Sequence, residues 1–264
     1  MIANKVQYRE WIKNRYGSIH QEEKDEKYAT KRWYINKNHI RDTFIDEYNR
    51  SGFVPQYMIT RVYYYDQHNI KNVRKHNDRV NRVIDDFFNP RGIDKYYLMK
   101  DHFIEQHKSK LIKKEKIQVR NTITNEYELD WDGSSVEIKE GSFHIHSLIS
   151  GIDDMVVLNP NGKIRNAIPR IYGIETIPIS LLESEEGLTR VKTDLLDYAI
   201  RERCDFIGAS GKAIDIQSAQ DYGTYDGFRG WKGMVAYVTK EMYNVENIVQ
   251  VYDYENSGIL GHLT

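Results

Sequence analysis

Hydrophobic positions along this chain change period several times, and each change marks an element. QYMITRVYYYD (56–66) is dense in β-branched and aromatic residues and predicts a strand. NIKNVRKHNDRVNRVIDDFF (69–88) carries Val73, Val80, Val83, Ile84 and Phe87 at helical spacing, and NPRG (89–92) stops it with turn residues. DKYYLMKDHFIEQH (94–107) predicts a second strand. A polar excursion, 108–140, holds KIQVRNTITNEYELDW, which predicts a hairpin around Thr124, Asn125 and Glu126. EGSFHIHSLISG contains a third long strand, about 142–150. A stretch rich in Asn, Pro and Gly (151–170), with the turn signal NPNG, reads as a loop. Leu188, Val191, Leu195, Leu196 and Ala199 form the apolar stripe of a helix over 184–203. GKAIDIQSAQ reads as another strand and GWKGMVAYVTKEMYN as a final helix.

The order is strand, helix, strand, strand, helix, strand, helix. Hairpin neighbours combined with helical crossovers predict an α+β fold: a central antiparallel sheet with helices on one face, of split βαβ type. Residues 1–50 are polar and charged, with Trp11, Tyr16, Tyr28, Trp33 and Tyr34 scattered through them, and read as a mostly helical extension. The main domain is expected over 51–250, interrupted by the excursion at 108–140, with a tail at 251–264.

Composition narrows the classes. The 38 basic and 39 acidic residues nearly cancel, so any contact with nucleic acid has to be local. Lys71–Arg82 and Lys108–Arg120 are the basic stretches, with Arg229 and Lys232 near the last helix. The single cysteine, Cys204, excludes an internal disulfide and a cysteine-based zinc site. MIANKVQYREWIKNRYG lacks the apolar stretch of a signal peptide, and no run is long enough to span a bilayer, so a soluble cytoplasmic protein is expected. GASGK (208–212) is too short for a phosphate loop, and Ala213 stands where that loop needs a hydroxyl.

Candidate chemistry begins with FHIH. In an extended chain His144 and His146 share one face, and Phe143 and Ile145 share the other. Two nitrogen ligands side by side make half a metal site, and a carboxylate usually completes it. On the preceding strand Asp101, Phe103, Glu105 and His107 share one parity. Glu105 is the preferred third ligand and Asp101 the second choice, while His102 points to the opposite face. The chain holds four Tyr-X-X-Lys spacings: Tyr28/Lys31, Tyr34/Lys37, Tyr97/Lys100 and Tyr237/Lys240. Only the last follows the histidine strand and sits in a marked helix, whose buried stripe is Trp231, Met234 or Val235, Val238 and Met242.

A strand with His-hydrophobic-His, followed about 90 residues later by a helix with Tyr-X-X-Lys, resembles the HUH endonuclease superfamily, in particular rolling-circle replication initiator (Rep) proteins. QYMITRVYYY, with Thr60, is similar to that family's first motif, and FIEQHK to its acidic strand. SFHIHSLISG is similar to the second motif, and AIDIQSAQ with GMVAYVTKEMYN to the third. The likeness covers roughly 56–245. It implies an RRM-like HUH fold, with Tyr237 as nucleophile, Lys240 beside it, and Mn²⁺ or Mg²⁺ on His144, His146 and Glu105. The implied reaction is nicking and rejoining of single-stranded DNA at a replication origin, at a hairpin or adjacent loop, through a 5′-phosphotyrosine. Host helicase and polymerase are the further partners it implies. Glu241 stands where some members carry a second tyrosine, so one nucleophile is expected; Tyr243 is out of helical register with Tyr237. A non-cleaving origin- or hairpin-binding protein, or a relaxase or transposase, are the other readings of the same pattern.

Overall fold

The computed structural model describes residues 37–63, 70–89, 98–106, 111–113, 117–120, 127–130, 135–137, 143–203, 214–240, 242, 252–253 and 257. Trp11, Tyr16, Tyr28, Trp33, Tyr34, His107, GASGK, Cys204, Glu241 and Tyr243 lie outside them.

The β-branched, aromatic run at 56–66 forms β1 (Tyr57–Tyr63). With β2 (Met99–Gln106), β7 (Phe143–Ser150) and β8 (Ile214–Ser218) it builds a four-stranded sheet in the order β2-β7-β1-β8. Every pairing in it is antiparallel. β1 and β2 are therefore parallel across β7, joined by helix α2 (Ile70–Phe88). β7 and β8 are parallel across β1, joined through α3 (Met155–Leu158), α4 (Gly162–Tyr172), α5 (Ile179–Leu182) and α6 (Glu185–Arg203). These are two interleaved split βαβ units. Inside the excursion, β3 (Leu111–Lys113) pairs with β6 (Ser135–Glu137), and β4 (Ile117–Arg120) with β5 (Tyr127–Asp130). The expected hairpin is thus the inner of two nested strand pairs.

Helices cover both faces of the sheet, where one face was expected. Strand alternation explains how. Tyr57, Ile59 and Ile149 point to one side, where Val80, Ile84 and Phe87 of α2 and Val191, Leu195 and Leu196 of α6 meet them. Met58, Phe103 and Leu148 point to the other, against α1 (Lys37–Ser51) and α7 (Gly230–Val238). There Phe44 and Tyr48 of α1 and Met234, Val235 and Val238 of α7 close the second core. Met242 and Tyr252 join it, and Tyr252 bridges to Phe103 of β2.

The segment 151–170 is largely helical, not loop. Asn161 of the NPNG turn caps α4, accepting hydrogen bonds from the backbone of Lys163 and Ile164 at 2.9 Å each. Such a cap contributes about 1 kcal/mol. Ile164, Ala167 and Ile168 then bury one stripe, a spacing that the density of turn residues obscures. A short hairpin, β9 (Thr224–Tyr225) and β10 (Phe228–Arg229), precedes α7. Asp226 and Gly227 form its turn with φ of 49° and 82°, the left-handed pair that joins tight hairpins. Gly233 lets α7 lie against this hairpin: a Cβ there would stand 2.8 Å from the Phe228 carbonyl oxygen.

The α2 side of the sheet also carries a buried polar network. The Arg61 guanidinium donates to Asn77 at 2.5 Å and to Ser147 at 2.6 Å, and Asn77 donates to Asp253 at 3.1 Å. His102 lies between Asn81 and Ser147. Burial first, then the charges of Arg61 and Lys100, hold its imidazole well below the usual histidine range. His102 faces away from the histidine pair, as its parity requires.

Candidate active site between the sheet and the last helix

The registers place the candidate residues on one face. Glu105 pairs with His144 and Phe103 with His146 across β2 and β7; Thr60 of β1 pairs with His146 from the other side. Phe143 and Ile145 point into a separate core with Tyr63, Val73 and Ile104. The alternation read from FHIH is therefore observed. His146 is buried, with its Nε2 3.4 Å from Glu105 Oε2. Its Nδ1 lies 3.0 Å from the Thr60 hydroxyl. His144 is half-buried, and its ring centroid is 6.3 Å from that of His146.

Tyr237 reaches this face from α7. Its ring meets the His146 ring edge-on, with centroids 5.2 Å apart and planes at 85°. The Lys240 ammonium sits 3.7 Å from the centre of the Tyr237 ring and 3.1 Å from Glu105 Oε1. The two motif residues therefore meet, but not on one helix surface as expected. α7 ends at Val238, and Lys240 follows in a turn whose backbone N–H donates to the Tyr237 carbonyl at 3.3 Å.

The charges reinforce one another. Burial alone pushes the Glu105 carboxyl up, but His146 and Lys240 together outweigh it and hold the group down at about 2. Burial pulls the Lys240 ammonium down, and the Glu105 carboxylate, followed by Tyr237, overrides that and raises it. Both groups are thus charged at neutral pH, next to the Tyr237 ring.

Asp101, the second choice of acidic ligand, has a different task. It is fully buried, and its two oxygens accept hydrogen bonds from Tyr48 at 2.7 Å and Tyr252 at 2.8 Å. It ties α1 and the segment at 252 to β2.

Among the described residues, no group of three His, Cys, Asp or Glu side chains is arranged to hold a metal. The atoms nearest to such a role are nevertheless suited to it. His146 Nε2 is buried without a close hydrogen-bond partner, with the Glu105 carboxylate 3.4 Å away, an arrangement that normally costs about 1–3 kcal/mol. Nδ1 faces the Thr60 hydroxyl, which can donate or accept, and Nε2 is turned toward the Glu105 carboxylate, the placement a metal ligand needs. Nitrogen and carboxylate donors suit Mn²⁺, and Mg²⁺ through the carboxylate.

Two residues beside the site escape a reading by motif. Tyr225 of the hairpin packs edge-on against Tyr237, with centroids 5.3 Å apart. Arg41 of α1 lies over the Phe228 ring at 4.4 Å and pairs with Asp226 at 2.8 Å. The Asp-Gly pair in TYDGFR is the local signal that announces this hairpin. The basic run of α2 lies behind the sheet, away from Tyr237. Lys232 is exposed on α7, on the element that carries the tyrosine.

No family model, curated protein or solved structure matches the chain. No helix among the described residues is long and apolar enough to cross a membrane.

Proposed function

We propose that this protein is a metal-dependent endonuclease and strand transferase of HUH type that nicks and rejoins single-stranded DNA, initiating rolling-circle replication of a plasmid or phage. The meeting of Tyr237 with His146, Lys240 and Glu105, from elements far apart in sequence, carries the reading. Tyr237 is the nucleophile: its oxygen attacks the scissile phosphorus, and the bond to the 3′ oxygen breaks. The products are a 5′-phosphotyrosine and a free 3′-OH; attack by a 3′-OH on the tyrosine link reverses the step and rejoins a strand.

Lys240 contributes a fixed positive charge at the Tyr237 ring, where it favours a developing phenolate and a bound phosphate. Glu105 holds that ammonium in place. His146, Glu105 and His144 are the side chains that would hold Mn²⁺ or Mg²⁺, which when bound supplies Lewis-acid polarisation of the phosphate. Thr60 holds the orientation of the His146 ring through its contact at Nδ1.

The test uses a pool of single-stranded oligonucleotides, Mn²⁺ and denaturing gels. Wild-type protein is expected to form an adduct that survives denaturation, with a subset of sequences. Sequence-selective binding without an adduct would instead identify a non-cleaving origin- or hairpin-binding protein.

A further inference from the structure

The hairpin before α7 is too small to hold its own shape. β9 and β10 are two residues each, and an isolated two-stranded pair is marginal even when longer. Two sets of contacts fix it instead. The first comes from α1. The Arg41 guanidinium lies over the Phe228 ring, 4.4 Å from its centre, and donates to the Asp226 carboxylate at 2.8 Å. A planar guanidinium can stack on a ring and pair with a carboxylate at once. Arg41 is in turn oriented by Asp42 at 2.9 Å, and its side chain is only 13% exposed.

The second set comes from α7. Tyr225, the cross-strand partner of Phe228, meets the Tyr237 ring edge-on, with centroids 5.3 Å apart and planes at 82°. Gly233 permits the approach, since a Cβ there would also stand 3.1 Å from the Tyr222 ring. Three groups therefore surround the Tyr237 ring: His146, Lys240 and Tyr225. His146 and Lys240 have chemistry assigned to them. Tyr225 brings neither charge nor metal ligand, and what it supplies is a surface that limits where the ring can lie.

Resting on the reading of Tyr237 as nucleophile, we infer that Arg41 and Tyr225 are positioning residues for it. α1 braces the hairpin through Arg41, and the hairpin sets the Tyr237 ring through Tyr225. The phenol oxygen stands at the far end of the ring, so a small tilt moves it most, and a misplacement of about 1 Å can cost about a hundredfold in rate. α1 precedes the region of family likeness, 56–245, and this contact makes it part of the reacting unit.

The test reads position and rate separately. In DNA-free protein carrying ¹³C in its tyrosine rings, the Tyr237 signal is identified by its loss in Tyr237→Phe. It should shift in Tyr225→Leu and also in Arg41→Met, although the Arg41 contacts end on Phe228 and Asp226 of the hairpin. Asp226→Asn tolerates the left-handed turn and weakens the same brace; it should shift the signal likewise and stands in if Arg41→Met does not fold. Adduct formation is then followed with Mn²⁺ and a single-stranded oligonucleotide selected for binding. The single-turnover rate at saturating DNA should fall about tenfold in Tyr225→Leu and about threefold in Arg41→Met, within the loss a misplaced oxygen can cause. The half-saturating DNA concentration should stay within about twofold of wild type. The double variant should be no slower than Tyr225→Leu alone, because both substitutions act through one ring. Tyr225→Phe keeps that ring and should restore the rate. An unmoved Tyr237 signal in both Arg41→Met and Asp226→Asn, additive losses in the double variant, or weaker DNA binding with an unchanged saturating rate would overturn the inference. Signals that shift as expected in a protein whose wild type forms no adduct would overturn the cleavage reading alone.

Discussion

Replacing Glu105 by glutamine removes a charge while keeping the side chain's size, and leaves the Lys240 ammonium without its carboxylate. The fall of the Glu105 carboxyl from its ordinary 4.5 to about 2 corresponds to about 3 kcal/mol of preference for the charged form in the folded protein. Because the folded-state value is the lower one, this stability is present above the unfolded value, near 4.5, and is lost as pH falls toward 2. Guanidinium unfolding with EDTA present should find Glu105→Gln less stable than wild type by about 3 kcal/mol at pH 7. The gap should shrink to about 1.5 kcal/mol by pH 3. In a Lys240→Met background the same substitution should cost less, because one of the two groups holding the carboxylate ionised is already gone. Equal stabilities at pH 7, or a gap that stays constant down to pH 3, would show that Glu105 is not held ionised by His146 and Lys240.

The remaining expectations concern neighbouring groups. His146→Ala should abolish the heat of Mn²⁺ binding in calorimetry and His144→Ala should weaken or abolish it; unchanged binding in both would remove the metal assignment. Asp101→Asn should leave Mn²⁺ affinity intact but destabilise the fold by about 1–3 kcal/mol, since one of two buried tyrosine hydroxyls loses its acceptor; loss of metal binding in a folded variant would return Asp101 to the ligand set. Single-strand affinity should fall only shallowly with salt, corresponding to few neutralised phosphates; a steep slope with equal affinity for any duplex would indicate a nonspecific coating protein.

Much of the sheet is legible because its strands are locally dense in β-branched and aromatic residues. QYMITRVYYYD and SFHIHSLIS predict β1 and β7 to within a few residues of their observed bounds, and the parity of His146 and Glu105 follows from alternation alone. Other features depend on partners that no local pattern reveals. Asp101 is a plausible ligand by parity, and only the folded chain brings Tyr252, 151 residues away, onto its carboxylate. On their own face Met58, Phe103 and Leu148 alternate with polar residues two positions away (Gln56 and Thr60, Asp101 and Glu105, His146 and Ser150), so the second covered face is not visible until α1 and α7 dock there. The turn residues around NPNG conceal α4, because an asparagine that caps a helix resembles one that ends it. Tyr237 and Lys240 do meet, but through a turn after the helix, where Thr239 already departs from helical continuation. Spacing predicts the contact, while the route to it depends on where α7 stops.

The most direct test of the central claim is the site of covalent attachment. Wild-type protein and Tyr237→Phe are incubated with a single-stranded oligonucleotide selected for binding, labelled on the 3′ side of the cut, with Mn²⁺, and the adduct is digested and its peptides mapped. In wild type the label should be retained on the peptide containing Tyr237. Tyr237→Phe should give no adduct and no cleavage, with binding nearly unchanged. Label on Tyr225 or Tyr243, or undiminished cleavage by Tyr237→Phe, would contradict that claim.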